Sequence, residues 1–358
     1  MSSNTERPVS VALDLRLAGY RHGGIARYGT QLHEALRTRR DIEILALRSW
    51  SRRPDDARGL RLRTPPHHRL ERIAVPIELR LRRVTTDVYH ALDFVAPRLR
   101  STTAIATVHD LAFRHWPEDL APDALAYYRR LERSRHWTDA WITPSAWTAT
   151  ELADEYGIEL DAIHVIPHGE SLGLLAQPVV ERGQRGDFVL AVGTVEPRKQ
   201  YDVMLDAIAD LRSEVSLVIA GQAGWNTERA QQRLRNTTGV TWLSSVDDER
   251  LRALYRGAAA VVIPSRAEGF GLAALEAMAA GTPVISSGGG ALKELTGAAS
   301  LNVADARADA WSDAIRRVLS DAALWSQMAA SGRERARVFT WRRSADATAG
   351  VYIAHAGT

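Results

Sequence analysis

The stretch that decides the fold is AAVVIPSRAEGFGLAALEAMAAGTPVISS, residues 259–287. An apolar run ends at Pro264, a loop with two glycines follows, a helix is predicted from about Leu272, and a second apolar run closes the stretch. A strand, a helix and a strand in this order predict a βαβ unit with parallel strands. Gly269 and Gly271 let the backbone approach a ligand, and the free amides at the helix start favour an anion such as a diphosphate.

Two carboxylates bracket this predicted anion site. Glu268 precedes the glycines, and Glu276 lies eight positions later within the helix. At about 1.5 Å rise per helical residue they are separated by roughly 10 Å. This separation suits sugar hydroxyls at one end and ribose hydroxyls at the other. The alternative is a Glu favoured by the helix dipole plus a solvent-facing Glu, although a Glu within LAALEAMAA needs a polar partner.

A second candidate loop is AVGTVEPRKQ, residues 191–200, in which Arg198 and Lys199 follow a predicted strand and precede a helix. Of the 46 basic residues only Lys199 and Lys293 are lysines, which suggests that a compact ammonium is needed in this loop. The chain contains no Asp-x-Asp, so side-chain cations remain to neutralise a departing diphosphate. The competing interpretation is a solvated helix start, where cations oppose the dipole.

Short apolar strands alternate with helical segments along the whole chain. They are predicted at 9–15, 42–47, 87–92, 103–110, 140–145, 163–169, 188–194, 215–221, 240–246, 259–265 and 282–287. This alternation predicts two doubly wound parallel sheets, and 358 residues suit two domains of roughly 170 residues each. Ligands of such sheets bind at the carboxyl ends of the strands, so the loops that follow strands are the candidate sites.

With these motifs the chain resembles the retaining glycosyltransferases of family 4 over nearly its whole length. The resemblance rests on the Glu268/Glu276 pair and the GTVEPRK loop. Further matches are AMAAGTPVISS, VIPHG, TPSAWTATEL and VDDERLRALYRGA. It implies an α/β chain with the GT-B fold, in which two Rossmann-like domains face each other across a deep interdomain cleft.

The resemblance also implies which part of the chain binds the acceptor and which part binds the donor. We expect a Rossmann-like acceptor-binding domain at 1–172, a linker at 173–186 and a Rossmann-like domain that binds the nucleotide-sugar donor at 187–339. The helix predicted within 340–358 is expected to pack back toward the N-terminal domain.

For the donor, the resemblance implies that Glu276 holds the ribose, Glu268 contacts the sugar, and Arg198 and Lys199 bind the diphosphate. Thr194 stands where many relatives have Arg, so that phosphate contact is missing or is supplied elsewhere. The other residues that the resemblance places at the donor are Gly23, Gly24, Gly193, Val246, Gly269, Phe270, Gly271 and Leu272.

In the N-terminal half, the GGI sequence at 23–25 matches the family's glycine loop. His109 matches a position over the reacting sugar and joins Glu268, Arg198 and Lys199 as a catalytic candidate. Asn is usual in relatives where this chain has His168. The residues expected near the acceptor are Arg27, Tyr28, Asp110 and His168.

The implied activity is that of a retaining hexosyltransferase, with a GDP-mannose or a UDP-glucose/N-acetylglucosamine type of donor. The acceptor is a glycan, a lipid-linked molecule or a small molecule such as a natural-product aglycone or aminocyclitol. We expect no cofactor and no metal. The alternative is a catalytically inactive relative that binds sugar nucleotides or serves as a scaffold. The sequence leaves open the donor base and sugar, the acceptor, the linkage position and the oligomeric state.

Composition restricts the protein class and its location. The absence of cysteine excludes disulfides and thiolate metal sites, and no Gly-x-Gly-x-x-Gly follows the first strand, which argues against a nicotinamide dehydrogenase. No apolar run approaches the roughly 20 residues that cross a bilayer. The first residues, MSSNTERPVS, lack the apolar core of a signal peptide. We expect a cytoplasmic protein.

Positive charge is concentrated in the N-terminal part. Residues 1–100 carry 20 Arg against 11 acidic residues, and the stretch 48–83 is densest, with eleven Arg and four acids. This pattern indicates either a solvated face or a basic surface for an anionic acceptor or for peripheral contact with the inner membrane face. Nucleic acid is not expected, because aromatic residues do not interleave with these arginines.

Overall fold

The computed structural model describes residues 7–19, 23–50, 59–211, 213–224 and 227–356. Residues 51–58 of the basic stretch 48–83 and residues 20–22 before the GGI sequence lie outside the described residues. The chain forms two compact units. The first comprises Met1–Leu111, Pro122–Gly169 and Thr340–Thr358, and the second comprises Ala112–Ala121 and Glu170–Phe339.

Strands and helices alternate as the apolar pattern predicts. The strands are β1 (Val9–Asp14), β2 (Ile42–Ser49), β3 (Leu60–Leu62), β4 (Val88–Ala91), β5 (Thr103–Thr107), β6 (Ala140–Thr143), β7 (Ile163–Val165), β8 (Phe188–Val192), β9 (Ser216–Ala220), β10 (Val240–Leu243), β11 (Ala260–Ile263), β12 (Val284–Ser286) and β13 (Ser300–Asn302). The α-helices are α1 (Gly24–Leu36), α2 (Glu71–Leu81), α3 (Ala112–His115), α4 (Pro122–Tyr128), α5 (Leu131–Ser134), α6 (Ala146–Tyr156), α7 (Tyr201–Leu211), α8 (Glu228–Asn236), α9 (Asp248–Gly257), α10 (Leu272–Ala279), α11 (Leu292–Thr296), α12 (Ala308–Ser320), α13 (Ala322–Ala336) and α14 (Trp341–His355). Short 3-10 helices lie at Arg16–Gly19, Pro117–Asp119, Leu160–Ala162, Leu174–Ala176, Arg182–Gln184, Pro197–Lys199 and Gly297–Ala299.

The first unit is built on a parallel sheet with the order β3-β2-β1-β4-β5-β6-β7. Its inner strands are apolar and buried, which is typical of parallel strands with helices on both faces. Chain order reverses between β1 and β4, and this is where doubly wound sheets place their ligands. Helix α14 belongs to this unit and packs against α1, with Trp341 and Tyr352 in the same apolar core as Tyr28.

The second unit has a parallel sheet with the order β10-β9-β8-β11-β12-β13. Chain order reverses between β8 and β11, so the loops that follow these two strands lie side by side. Helix α10 is buried over most of its length because its residues LAALEAMA are small or apolar. The position of α10 in the core fixes the direction in which its N-terminus points.

The predicted pair of parallel α/β sheets is confirmed by these two units. The pattern did not reveal β3 and β13, because three-residue edge strands carry too little periodicity. Several strands also end earlier than predicted; the strand expected at 103–110 ends at Thr107. The chain leaves the sheet after Thr107, although the next residue, Val108, is still apolar.

Residues 173–186, predicted as a linker, contain two short 3-10 helices. The buried guanidinium of Arg185 donates to the carbonyl oxygens of Ala258 and Gly281 and to Oγ1 of Thr282. Burial lowers the pKa of Arg185 to about 10. This segment is therefore fastened to the second unit.

Within the described part of the chain, none of the helices is both long enough and apolar enough for a bilayer span.

Candidate active site

The loops after β8 and β11 meet at the point where chain order reverses in the second sheet. The amide of Arg266, in the second loop, donates to the carbonyl of Arg198 in the first, at 2.9 Å. Both loops follow buried apolar strands, which hold their ends in place. The two motifs that the sequence analysis selected separately are therefore one structural site.

The side chain of Glu268 is the centre of this site. Its Oε1 accepts hydrogen bonds from Nζ of Lys199 and Oγ of Ser265, each at 2.6 Å, and its Oε2 accepts from Arg198 at 3.2 Å. Burial alone would raise the pKa of Glu268, but the charges of Lys199 and Arg198, with the hydrogen bonds from Lys199 and Ser265, lower it to about 2. The carboxylate is thus fully ionised at neutral pH.

The guanidinium of Arg198 is held on three sides. It donates to Glu268, to Oε1 of Glu196 at 2.7 Å and to the carbonyl of Ala267 at 2.9 Å. Two cations and two carboxylates compensate one another, so the cations are already oriented before an anion binds. A bound diphosphate would add acceptors beside donors whose geometry is fixed.

Gly290 packs directly against the backbone of Glu268. Gly290 forms a parallel β-bridge with Glu268, and the amide of Ala291 donates to the Glu268 carbonyl at 2.8 Å. A Cβ at Gly290 would lie 2.7 Å from the Glu268 nitrogen, and the φ of Gly290 is 63°, so only glycine fits there. Gly290 was not selected from the sequence, although a run of three glycines directly after a predicted strand was the available signal.

The start of α10 has the predicted form. Gly271 is the N-cap with a φ of 103°, and a Cβ there would lie 2.8 Å from a side-chain carbon of Leu292. Gly269 and Phe270 are buried, and Leu272 is the first helical residue. Their arrangement leaves the first amides of α10 without intrahelical acceptors.

Glu276 is buried inside α10, with 4% of its surface exposed. The alternative of a solvent-facing Glu at this position is therefore wrong. A carboxylate is retained in an otherwise apolar helix only where polar groups meet it. Its proposed contact with a ribose stays a prediction.

The remaining donor candidates of the second unit border the same loops. Gly193 has a φ of 145°, and its carbonyl accepts from the hydroxyl of Tyr201 at 3.2 Å. Thr194 is exposed and Val246 is half-buried against the apolar core. Ser265 and Glu196 were not selected from the sequence. Ser265 lies two residues after β11 and Glu196 four residues after β8, and these positions in loops that follow strands were the signal that could have found them.

In the first unit, His109 follows β5 and is half-buried. Its Nε2 lies 2.8 Å from the carbonyl of Leu92, which only accepts, so Nε2 carries the proton. Burial lowers the pKa of His109, and the ring is therefore neutral with Nδ1 as its acceptor nitrogen. The centroid of the His109 ring lies 5.0 Å from that of Tyr28, in an edge-on arrangement, and 5.6 Å from that of His168.

Tyr28 and His168 are buried within the first unit. The Tyr28 hydroxyl lies 3.1 Å from Oγ1 of Thr107, and the ring of His168 stacks on Trp341 at 5.9 Å. Burial lowers the pKa of His168 well below its usual value. Both side chains pack around His109, and their predicted acceptor contacts stay predictions.

The glycine loop of the first unit opens helix α1. Gly23 is the N-cap in an extended conformation, and a Cβ there would meet no atom within 4 Å. Gly24 is the first helical residue, and the amide of Arg27 donates to the Gly23 carbonyl at 3.0 Å. Among the described residues of the unit, nothing requires glycine at position 23. Asp110 is half-buried after β5.

A cavity at the carboxyl ends of β1 and β4 was not predicted. Its lining includes Asp14, Arg16, Glu71 and Asp93. Oδ1 of Asp93 is buried without a hydrogen-bond partner among the described residues, while Oδ2 is bonded to His67. A buried carboxylate oxygen of this kind is available to a hydroxyl or a water. The predicted strand end at residue 92 was the signal that could have identified Asp93.

The predicted residues thus gather in two groups, one in each unit. Arg198, Lys199 and Glu268 are in direct contact in the second unit, and His109, Tyr28 and His168 are in contact in the first. Among the residues that the structure describes, no group of three or more His, Cys, Asp or Glu side chains could hold a metal ion.

Two family models match the chain. The model described as glycosyl transferases group 1 matches residues 177–335, and the model described as glycosyltransferase family 4 matches residues 22–171. The chain is 30% identical over 285 residues to O-antigen chain mannosyltransferase B of Escherichia coli, which covers 74% of each protein. It is 32% identical over 236 residues to the D-inositol 3-phosphate glycosyltransferase of Xylanimonas cellulosilytica, covering 60% of this chain and 57% of that protein. Further curated relatives are matched over 51% to 64% of their own length.

Among solved structures, sucrose-phosphate synthase from Thermosynechococcus elongatus resembles the chain with a TM-score of 0.80 and 22% identity, covering 98% of this chain and 99% of that one. This likeness, with the two parallel α/β units, confirms the expected GT-B fold. The matched models and the Escherichia coli relative together establish the identity. The chain belongs to glycosyltransferase family 4 and is a glycosyltransferase of group 1.

Proposed function

We propose that the chain transfers a hexosyl group from a nucleotide diphosphate-sugar to an acceptor hydroxyl, with retention of anomeric configuration and without a metal ion. The observation that carries this proposal is the ionised Glu268, held by Lys199, Arg198 and Ser265 beside the N-terminus of α10. Oriented cations, a carboxylate and free helix amides suit a diphosphate joined to a sugar.

Charge develops on the diphosphate as it leaves. Lys199 and Arg198 are placed within hydrogen-bond distance of one carboxylate, and the start of α10 follows that carboxylate directly in the chain. In this site the cations and amides stabilise the departing oxygen, which is the largest catalytic effect that fixed donors offer. They supply the neutralisation that a metal supplies in other transferases.

Glu268 is a poor choice for a general base or a nucleophile. Its pKa of about 2 shows that the carboxylate is stabilised by its neighbours, which lowers its basicity. We therefore favour displacement on one face of the sugar. The bond from the anomeric carbon to the diphosphate oxygen breaks, the bond to the acceptor oxygen forms on the same face, and the acceptor proton passes to the departing diphosphate.

The neutral ring of His109 is suited to orient a hydroxyl of the donor sugar or of the acceptor. Nε2 is occupied by the Leu92 carbonyl, so Nδ1 is the nitrogen that accepts a hydrogen bond. The free Oδ1 of Asp93 offers a second acceptor to a hydroxyl-rich substrate in the first unit.

The names of the relatives favour two types of substrate. The Escherichia coli relative is a mannosyltransferase of an O-antigen chain, which favours GDP-mannose as donor and a glycan as acceptor. UDP-glucose and UDP-N-acetylglucosamine are the competing donors. The Xylanimonas relative is named for D-inositol 3-phosphate, which favours a small phosphorylated polyol as the competing acceptor.

A thermal-shift screen of GDP, UDP and their sugars, followed by transfer assays, tests the proposal. The preferred donor should raise Tm by several degrees. Lys199→Ala should abolish this shift and lower kcat/KM at least a hundredfold. Lys293→Ala is the matched control, because Lys293 is exposed and is the other lysine of the chain.

Product stereochemistry and metal dependence are read in the same assay. The anomeric coupling in the NMR spectrum of the product should match that of the donor, and EDTA should leave the rate unchanged. An inverted product would contradict the proposed mechanism, and loss of activity with EDTA would contradict metal independence. Donor binding without transfer to any mannosyl, glucosyl or inositol acceptor would favour an inactive relative.

A further inference from the structure

The outward face of helix α2, in the first unit, is apolar. Leu70, at the N-cap, and Ile73, Ile77 and Leu81 are 52%, 49%, 54% and 78% exposed. Intervals of three and four residues place them on one side of the helix. They are four of the ten strongly exposed large hydrophobic side chains among the described residues. Such clustering marks an interaction surface, whereas single exposed apolar residues do not.

The rest of α2 is fixed in place, so this stripe cannot turn inward. Val75 and Leu79 are buried on the opposite side, and Glu71 is bonded to the buried guanidinium of Arg16. Glu78 accepts hydrogen bonds from the backbone amide of Arg63 at 2.7 Å. Although burial raises the pKa of Glu78, its hydrogen bonds leave that pKa below the usual value, so the anchor is ionised.

A basic pocket adjoins the N-terminal end of the stripe. It has a volume of about 170 Å³, and Arg69, Arg72, Arg130 and Arg133 line it together with Trp137. Glu71 also lines it, but its carboxylate is bonded to Arg16. Arg130 is oriented by a 2.9 Å hydrogen bond to the carbonyl of His68. No carboxylate among the described residues pairs with the guanidinium of Arg69, Arg72 or Arg133.

Leu70 belongs both to the stripe and to the lining of this pocket, so the apolar and basic surfaces are continuous. Arg80, on the last turn of α2, and the exposed Arg83 place further positive charge at the other end, whereas Arg82 there is paired with Glu78 at 3.2 Å. An aliphatic stripe with guanidiniums at both ends matches an acyl layer bordered by anionic head groups. A protein partner would instead have to combine an apolar groove with acidic rims, and a bilayer is the simpler match to this surface.

We propose that α2 is a docking surface for an anionic phospholipid bilayer. The side chains of Leu70, Ile73, Ile77 and Leu81 enter the acyl boundary, and the arginine pocket holds a lipid phosphate. This surface lies outside the residues assigned to donor binding. The inference stands independently of the proposed reaction, because vesicle binding is measured without sugar donor or acceptor.

Flotation of the full chain with vesicles tests the proposal. Vesicles of phosphatidylglycerol mixed with phosphatidylcholine should carry the protein, and vesicles of phosphatidylcholine alone should carry at least tenfold less. Raised salt should weaken binding, since it screens the attraction of arginine for lipid phosphate. Equal binding to both vesicle types, or binding to neither, would overturn the proposal.

Two sets of substitutions separate the contribution of the apolar stripe from that of the basic pocket. Ile77→Ser with Leu81→Ser should lower the partition coefficient at least tenfold, whereas Leu160→Ser with Ile353→Ser, which are 64% and 47% exposed elsewhere in the same unit, should leave it unchanged. Arg69→Gln, Arg72→Gln and Arg133→Gln together should lower it at least tenfold.

The matched control for charge replaces the exposed Arg229, Arg250 and Arg317 of the second unit by Gln. An equal loss in this control would show non-specific attraction and refute the pocket. Unchanged Tm values of all variants show that they are folded. If light scattering shows a dimer that Ile77→Ser with Leu81→Ser converts to a monomer, the stripe is an interface between copies and the membrane proposal is wrong.

Discussion

Nζ of Lys199 lies 2.6 Å from Oε1 of Glu268, although the two residues are 69 positions apart in the chain. One follows β8 and the other follows β11, which are adjacent at the reversal of chain order in the second sheet. This ion pair joins the two sequence motifs of the candidate site. It explains why one of the two lysines and the glutamate before the Gly-Phe-Gly turn belong to one candidate site.

The acid dependence of stability should report the environment of Glu268. Its folded pKa of about 2 lies below the usual 4.5, so the ionised carboxylate stabilises the fold above pH 4.5, and this contribution is lost as pH falls toward 2. Glu268→Gln should therefore lower the free energy of unfolding by on the order of 3 kcal/mol at pH 7. By pH 3.5 the difference from wild type should shrink by on the order of 1 kcal/mol, measured from urea unfolding. A difference that stays constant with pH would contradict the lowered pKa.

Gly290 should be essential for the position of Glu268. Gly290→Ala places a methyl group against the Glu268 backbone at a φ of 63°, so we expect a loss of about 2 to 4 kcal/mol in unfolding free energy and weaker donor binding. The matched control is Gly173→Ala, where φ is 67° and a Cβ meets nothing within 4 Å. That variant should lose only about 1 kcal/mol. Equal losses in the two variants would show that the contact with Glu268 is unimportant.

A buried chain of hydrogen bonds in the first unit should contribute to stability. The hydroxyl of Tyr352, on α14, lies 2.6 Å from Nδ1 of His90, and Nε2 of His90 lies 2.8 Å from Oγ1 of Thr107. Tyr352→Phe leaves the His90 nitrogen unpaired in the core, so we expect a loss of about 1 to 3 kcal/mol in thermal or urea unfolding. Ile353→Ala, at the exposed neighbouring position, should change stability far less. A loss below about 0.5 kcal/mol for Tyr352→Phe would contradict this role.

Gly23 should matter for ligand binding and not for folding. Its φ of −148° is accessible to alanine, and an added Cβ would meet open space. Gly23→Ala should therefore leave Tm within about 1 °C of wild type, while donor or acceptor KM rises because the methyl group occupies the space that a ligand approaches. Unchanged KM values for both substrates would remove Gly23 from the site.

Much of the candidate site was predictable from local sequence. The glycines at 269 and 271, the start of α10 near Leu272 and the cations at 198 and 199 all follow predicted strands, and turn residues after a buried strand mark a ligand loop in any parallel sheet. The short edge strands β3 and β13 were not predictable, because three residues carry too little periodicity. Asp93 was missed although it directly follows a predicted strand end.

The sequence by itself determined the α/β class, the two parallel sheets and the family, because period, glycine placement and motif spacing are properties of consecutive residues. The tertiary structure alone decided that Lys199, Arg198 and Ser265 surround one carboxylate and that Gly290 supports it. These relationships depend on strand order and long-range packing. Both bring together residues that are far apart in the chain, and the sequence around one of them does not indicate which distant residue it will contact.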